Sequence, residues 1–227
     1  METIWIIGSG RFGIRAARQL ATRPDKKYQD KKYTILVVDQ DKASLDKARD
    51  LGCGVEAGDG VRFLYENLER GRGPDWVVPA VPVHLAWEWC RLRLGRALLM
   101  PVVLPGAFDA LVPNPMRGKT NEVYVSHADF LCPSNCNEPE DYCTRTGEPR
   151  KTDMFRYLAG LDFPGVTPFV IQSVQLGPGT GGYRPEALFD LADRLAQHKG
   201  DCFAATACRC HGVVSGGRVL PDRGRGK

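Results

Sequence analysis

A short apolar, β-rich run that ends in a G-x-G-x-x-G turn constrains this chain more than any other feature it carries. Thr3 to Ile7 is that run, and Gly8-Ser9-Gly10-Arg11-Phe12-Gly13 follows it directly. A continuous apolar stretch of this length is the pattern of a buried parallel strand. A helical pattern comes next, with Phe12, Ala16, Ala17 and Leu20 on one side and a stop before Pro24. Tyr33 to Val38 then reads as a second apolar strand, terminating in Asp39. Strand, glycine turn, helix and strand form a βαβ unit, which predicts an α/β chain opening on a Rossmann-like, doubly wound parallel sheet.

Each part of the unit has a chemical task. Gly8 permits the tight turn, Gly10 lets backbone approach a pyrophosphate, and Gly13 lets the helix pack against the strand. The helix N-terminus offers free N–H groups and the positive end of its dipole to phosphates, so Ser9, Arg11 and Phe12 join the glycines as candidate binding residues. Asp39 is placed to accept hydrogen bonds from the adenosine ribose hydroxyls. Its charge opposes a 2′-phosphate, and Gln40-Asp41 supply no arginine to neutralise one. The expected ligand is therefore NAD rather than NADP. Asp39 follows Gly13 by 26 residues, against a usual spacing of about 20, and the polar stretch Arg23 to Lys32 reads as an insertion that accounts for the excess. S-adenosylmethionine is the alternative ligand, because its methyltransferases also place an acid after the second strand. The third glycine and Arg11 weigh against it.

Ile6-Ile7-Gly8-Ser9-Gly10-Arg11-Phe12-Gly13, Val37-Val38-Asp39-Gln40-Asp41 and Gly58-Asp59-Gly60 together resemble the NAD-binding domain of TrkA-type potassium-uptake regulators, the RCK fold. The resemblance covers roughly residues 1–100. It implies that the glycine loop holds phosphate, that Asp39 holds ribose, and that the segment around Asp59 lines the adenine side. Gln40, Asp59 and Gly60 thereby join the candidate nucleotide residues. The remainder of the chain does not look like that family's usual C-terminal domain.

Beyond Gly60, Val61 to Leu68 is helix-like, and Trp76 to Pro82 reads as a fourth strand with its terminal loop. Loops at the carboxyl ends of such strands face the ligand crevice. His84 follows this loop beside Trp87 and Trp89, and is expected as a packed, hydrogen-bonded residue. Cys53 and Cys90 stand singly and read as small buried hydrophobes. Proline enrichment from Pro101 to Pro115 places the domain boundary near Leu98 to Pro105. The expected organisation is a dinucleotide-binding domain over 1–100, a smaller cysteine-rich α/β domain over 101–220, and a flexible basic tail over 221–227.

Several function classes are set aside by composition. The longest apolar run, Ala97 to Leu104, is far short of the roughly 20 residues that span a bilayer, and Met1 to Ile7 lacks the basic start of a secretory signal. The chain is expected to be cytoplasmic and without membrane insertion. Its formal charge of +4 is modest, with basic residues gathered at Lys26-Lys27, Lys31-Lys32 and Arg223 to Lys227. These read as a solvated loop and a frayed end, and no motif points to nucleic acid.

Eight cysteines in a reducing compartment point to a metal or to redox chemistry rather than to a disulfide framework. Cys132, Cys136 and Cys143 follow C-x3-C-x6-C in a stretch with Pro133, Pro139, Gly147 and Pro149 that reads as a loop. Three thiolates on one ion would order such a loop. The remaining coordination is expected from one or two of Cys208, Cys210 and His211. They follow a buried strand, Cys202 to Ala207, which closes a second βαβ-like unit made of a strand over Phe169 to Val174, a glycine-rich turn over Gly177 to Gly182, and a helix over Pro185 to Gln197. The turn reads as a flexible connector in preference to a phosphate cradle, since it lacks the lysine of a Walker motif. Iron–sulfur and zinc both suit the cysteines. No catalytic constellation stands out. The expected function is an NAD-binding protein with a cysteine-ligated metal centre, redox-linked or redox-sensing, whose partners are a dinucleotide and a second copy of itself in a homodimer. The alternative is a non-catalytic, nucleotide-sensing module of the TrkA type with a structural zinc.

Overall fold

The computed structural model describes residues 2–22 and 33–221. The stretch Arg23 to Lys32 and the basic residues from Arg223 onward lie outside the described residues. Strands β1 (Glu2–Ile7), β2 (Tyr33–Asp39), β3 (Gly54–Ala57) and β4 (Trp76–Pro79) form an all-parallel sheet in the order β3-β2-β1-β4. Alternation along β1 sends its side chains to opposite faces. Ile4 and Ile6 enter a core with Ala16, Ala17 and Leu20 of α1 (Arg11–Thr22) and Leu45 and Ala48 of α2 (Lys42–Asp50). Ile7 enters another with Leu64 of α3 (Gly60–Asn67) and Leu85 and Trp89 of α4 (Leu85–Leu94). Helices cover both faces, so the sheet is doubly wound as the sequence predicts.

Local chemistry starts these helices where they start. The Asp41 side chain accepts from the amide of Ala43 at 3.1 Å, and Asp59 accepts from Arg62 at 2.8 Å. Each satisfies an amide that the first turn leaves free, worth about 1 kcal/mol. Phe12 departs from expectation: it does not share the apolar side of α1 with Ala16, Ala17 and Leu20, but is 62% exposed. It stands in the first turn, past the last residue of β1, and the Arg15 guanidinium lies over its ring at 5.2 Å.

The second sheet runs β6 (Met116–Arg117), β7 (Val123–Ser126), β12 (His211–Val219), β11 (Gly200–Ala207) and β8 (Val166–Gln172), and β5 (Leu99–Pro101) also pairs with β12. Strands β8 and β11 are parallel and are joined through α6 (Pro185–Gln197), while the other pairs are antiparallel. Helix α6 occupies the span that Pro185 and its apolar stripe predict. The strand expected over Phe169 to Val174 begins earlier and ends at Gln172, because Val174 already belongs to a hairpin. That hairpin, β9 (Val174–Gly177) with β10 (Thr180–Gly182), corrects the reading of Gly177 to Gly182 as a flexible connector. Its backbone groups are committed to the ladder and to neighbouring segments.

Helices α4 and α6 pack between the two sheets, with Trp89 and Phe189 edge to face at 5.3 Å. One apolar layer thus joins Ile7 and Val77 of the first sheet to Phe169 and Ala204 of the second. The outer face of the second sheet is covered by α5 (Met154–Ala159) and a 3-10 helix (Gly106–Leu111) around Phe108, Phe203 and Val214. Among the described residues, no helix is long and apolar enough to cross a membrane.

His84 ties the halves together. It is buried, with Nδ1 2.9 Å from Ser215 Oγ on β12 and Nε2 3.0 Å from Thr206 Oγ1 on β11. Burial holds its pKa down at about 3, against a pull upward from the Glu122 carboxylate. Because the unfolded imidazole takes its proton near 6.5, the contribution of the neutral ring is complete above that pH. It is lost as the pH falls from 6.5 toward 3, at up to about 1.4 kcal/mol per pH unit. Denaturant titrations of the wild type between pH 7 and 4 should therefore show a steeper loss of stability than those of His84→Gln. Equal slopes would show that His84 does not drive the acid sensitivity.

Candidate functional site

The carboxyl ends of β1, β2 and β3 gather the expected nucleotide residues. Gly8 leaves β1 with φ +108°, and a Cβ on it would stand 2.5 Å from the carbonyl oxygen of Ala80, beyond β4. A Cβ on Gly13 would stand 1.9 Å from the carbonyl oxygen of Gly8, so the helix can approach the turn this closely only with glycine there. Around Gly10, by contrast, nothing lies within 4 Å of the Cβ position. Among the described residues, no acceptor is bonded to the amides of Gly10, Arg11, Phe12 or Gly13. That row of open donors at a helix N-terminus is the arrangement that receives phosphate.

Asp39 closes the other side of the crevice. Its carboxylate accepts from the amide of Ser9 and, at 2.9 Å, from that of Asp41. Partial burial alone would raise its pKa, but these backbone donors outweigh it and hold the carboxyl below the ordinary value. Asp39 is therefore an anion at neutral pH, in contact with the glycine loop itself. Gln40 donates to Asp59 at 3.2 Å, and Gly60 is buried against Ile7, where a Cβ would meet Cγ2 at 2.4 Å. The structure thus brings Ser9 to Asp39, Gln40 to Asp59 and Gly60 to Ile7 at one edge of the sheet.

The cysteines occupy the corresponding edge of the second sheet. Cys208 and Cys210 form the turn between β11 and β12, and His211 is the first residue of β12. The loop carrying Cys132, Cys136 and Cys143 is docked onto that turn by two residues that the cysteine spacing does not reveal. Glu138 Oε1 accepts from the amides of Arg209 at 2.9 Å and Cys210 at 3.2 Å. Arg150 donates to the carbonyls of Pro139, Glu140 and Tyr142 and to Cys210 Sγ at 3.2 Å. Asp153 in turn accepts from Arg209 and lies 3.8 Å from Arg150. A cleft of about 410 Å³ opens beside this network, lined by Glu140, Arg150, Asp153, Arg156, Gln172 and Arg209 among others.

The thiols differ in character. Backbone donors from Thr146 and Arg145 hold Cys143 below the ordinary thiol range. Burial pushes Cys210 up to about 11 against the pull of Arg150. Burial, and the nearby negative charge of Glu138, push the Cys208 thiol up. Cys208 Sγ stands 3.9 Å from His211 Nδ1. Cys53, Cys90 and Cys202 are buried in the apolar cores. Among the described residues, no three ligating side chains are already gathered around one point.

The two edges are in contact through the hairpin. Gly179 donates to the carbonyl of Cys136 at 3.0 Å, and Gln175 Nε2 reaches the same carbonyl at 2.7 Å. From the other side, Arg15 of α1 donates to the Gly179 carbonyl at 3.1 Å, and Gln19 donates to that of Pro178 at 2.7 Å while accepting from Thr180. The helix that opens on the glycine loop is therefore bonded, through one hairpin, to the cysteine loop.

Residues 86–220 match the family model AF_1314_C, described as an uncharacterized protein, C-terminal domain. The chain belongs to this family. The AF_1314_C span begins on α4, holds all six candidate metal residues, and leaves the glycine loop outside. An uncharacterized protein from Archaeoglobus fulgidus is 29% identical over 218 residues, covering 92% of this chain and 96% of the relative. Its similarity therefore runs through the parallel-sheet half as well as the AF_1314_C half.

Proposed function

We propose that this chain binds a dinucleotide, NAD(H) in preference to NADP(H), at the carboxyl ends of β1 to β3. In this reading the nucleotide serves a redox-linked or redox-sensing role together with a cysteine-held metal centre in the AF_1314_C half. The observation that carries it is the pairing of four open amides from Gly10 to Gly13 with the Asp39 anion across the same turn. Pyrophosphate satisfies the amides, and the ribose hydroxyls donate to Asp39. A 2′-phosphate would face that carboxylate, and its repulsion sets the preference.

Calorimetric titration tests this directly. NAD(H) is expected to bind more tightly than NADP(H), and Asp39→Ala to narrow the gap. NADP(H) binding equally well or better to the wild type would refute the assignment.

A second reading is a non-catalytic, nucleotide-sensing module of the TrkA type. The bonds from Arg15 and Gln19 to the hairpin favour it, since they give a mechanical path from the nucleotide helix to the cysteine loop without any transfer of electrons.

A further inference from the structure

We propose that Cys132, Cys136, Cys143 and Cys210 close around one thiophilic metal centre, a zinc-class ion or an iron–sulfur cluster, at the turn between β11 and β12. This deepens the cysteine half of the reading above and is independent of the nucleotide half. Both kinds of centre take four thiolates.

Hydrogen bonds place three of these residues together. Cys136 Sγ lies 3.2 Å from the Thr144 hydroxyl, next to Cys143. A single guanidinium nitrogen of Arg150 donates both to the Tyr142 carbonyl, on the other side of Cys143, and to Cys210 Sγ. Glu138, two residues from Cys136, grips the amide of Cys210. Cys132 is held to the same loop through its neighbour, because the Leu131 carbonyl accepts at 3.2 Å from Arg145, two residues past Cys143.

The surroundings suit thiolates bound to a metal. The amide of Glu138 donates to Cys136 Sγ at 3.4 Å, and the Arg150 guanidinium donates to Cys210 Sγ at 3.2 Å. Four thiolates around a divalent ion carry surplus negative charge, and the buried Arg150 beside Cys210 offsets it. Cys208 is engaged otherwise. Its sulfur is taken up within its own turn, where it accepts from the amides of Cys210 at 3.4 Å and His211 at 3.3 Å and stands 3.9 Å from His211 Nδ1. Because no three ligands are yet gathered, metal binding draws the 132–143 loop inward and orders it, with release of the thiol protons.

The test uses the full chain. Protein purified without oxygen is examined for colour, iron, sulfide and zinc. Chelator-treated protein is then titrated with Co2+, whose tetrahedral thiolate complexes absorb strongly in the visible and near ultraviolet. Brown protein with iron and sulfide supports the cluster form, and colourless protein that gains the cobalt bands supports the single-ion form. Cys136→Ser and Cys210→Ser are expected to lose the signal, while Cys208→Ser, Cys53→Ala and Cys90→Ala keep it. In case a variant fails to fold, thiol alkylation of the wild type is mapped by mass spectrometry with and without Zn2+. Metal should protect Cys132, Cys136, Cys143 and Cys210 and leave Cys208 unchanged. Absence of both metal signals and protection overturns the proposal, as does loss of signal in Cys208→Ser. No nucleotide is present in any arm, so failure here leaves dinucleotide binding standing.

Discussion

Gly10→Ala is expected to leave the protein folded and to abolish dinucleotide binding, whereas Gly13→Ala is expected to destabilise the fold itself. The difference follows from what each new methyl would meet. At position 10 there is nothing within 4 Å, so the helix and sheet are undisturbed. The methyl would instead occupy the approach to the open amides, where the pyrophosphate must come into contact with backbone. At position 13 the methyl would lie 1.9 Å from the Gly8 carbonyl oxygen. The helix must then shift off β1, at a cost of about 1–3 kcal/mol, the usual range for overpacking. Thermal unfolding and calorimetric titration of the two variants separate these effects. A Gly10→Ala protein that binds NAD(H) like the wild type would show that the nucleotide does not lie on this turn.

Loading the cysteine loop with metal is expected to change NAD(H) affinity by roughly 5- to 150-fold, a coupling of about 1–3 kcal/mol. The path is short and consists of named bonds. Cys136 holds the hairpin through its carbonyl, and the hairpin holds α1 through Arg15 and Gln19. A loop drawn inward by metal pulls on Gly179 and so on the helix whose first turn offers the phosphate donors. Gln19→Ala removes the bonds to Pro178 and Thr180 and should shrink the metal effect while leaving NAD(H) binding itself in place. Affinity is measured on metal-replete and metal-depleted protein, with folding checked for both. Identical affinities in the wild type would make the two edges independent centres that happen to share a core.

The sequence by itself determined the first βαβ unit, because every element of it is a local requirement. An apolar run, three glycines at fixed offsets, a helical stripe and an acid at the second strand's end each act on their nearest neighbours. Helix α6 was legible for the same reason, from Pro185 at its first position and the stripe of Leu188, Leu191 and Leu195. The cysteine segments were legible as composition, since C-x3-C-x6-C in a proline-rich stretch has no helix or strand to belong to.

What only the tertiary structure decided were the contacts between distant segments. Strand β12 lies at the centre of the second sheet, yet its run of Gly212, Gly216 and Gly217 argues against a strand on propensity alone. Its glycines answer to partners far away in the chain. A Cβ on Gly216 would stand 2.5 Å from the Val102 carbonyl oxygen, and one on Gly217 would meet the Trp87 ring at 2.3 Å. The docking of the cysteine loop through Glu138 and Arg150 has no signature in the cysteine spacing, because a carboxylate and a guanidinium are ordinary surface residues until a turn some 60 to 70 residues later arrives beside them. Phe12 shows the same limit from the other side. Its place on the helical stripe predicts burial, but burial needs a neighbour, and at the first turn of α1 the sheet has already ended.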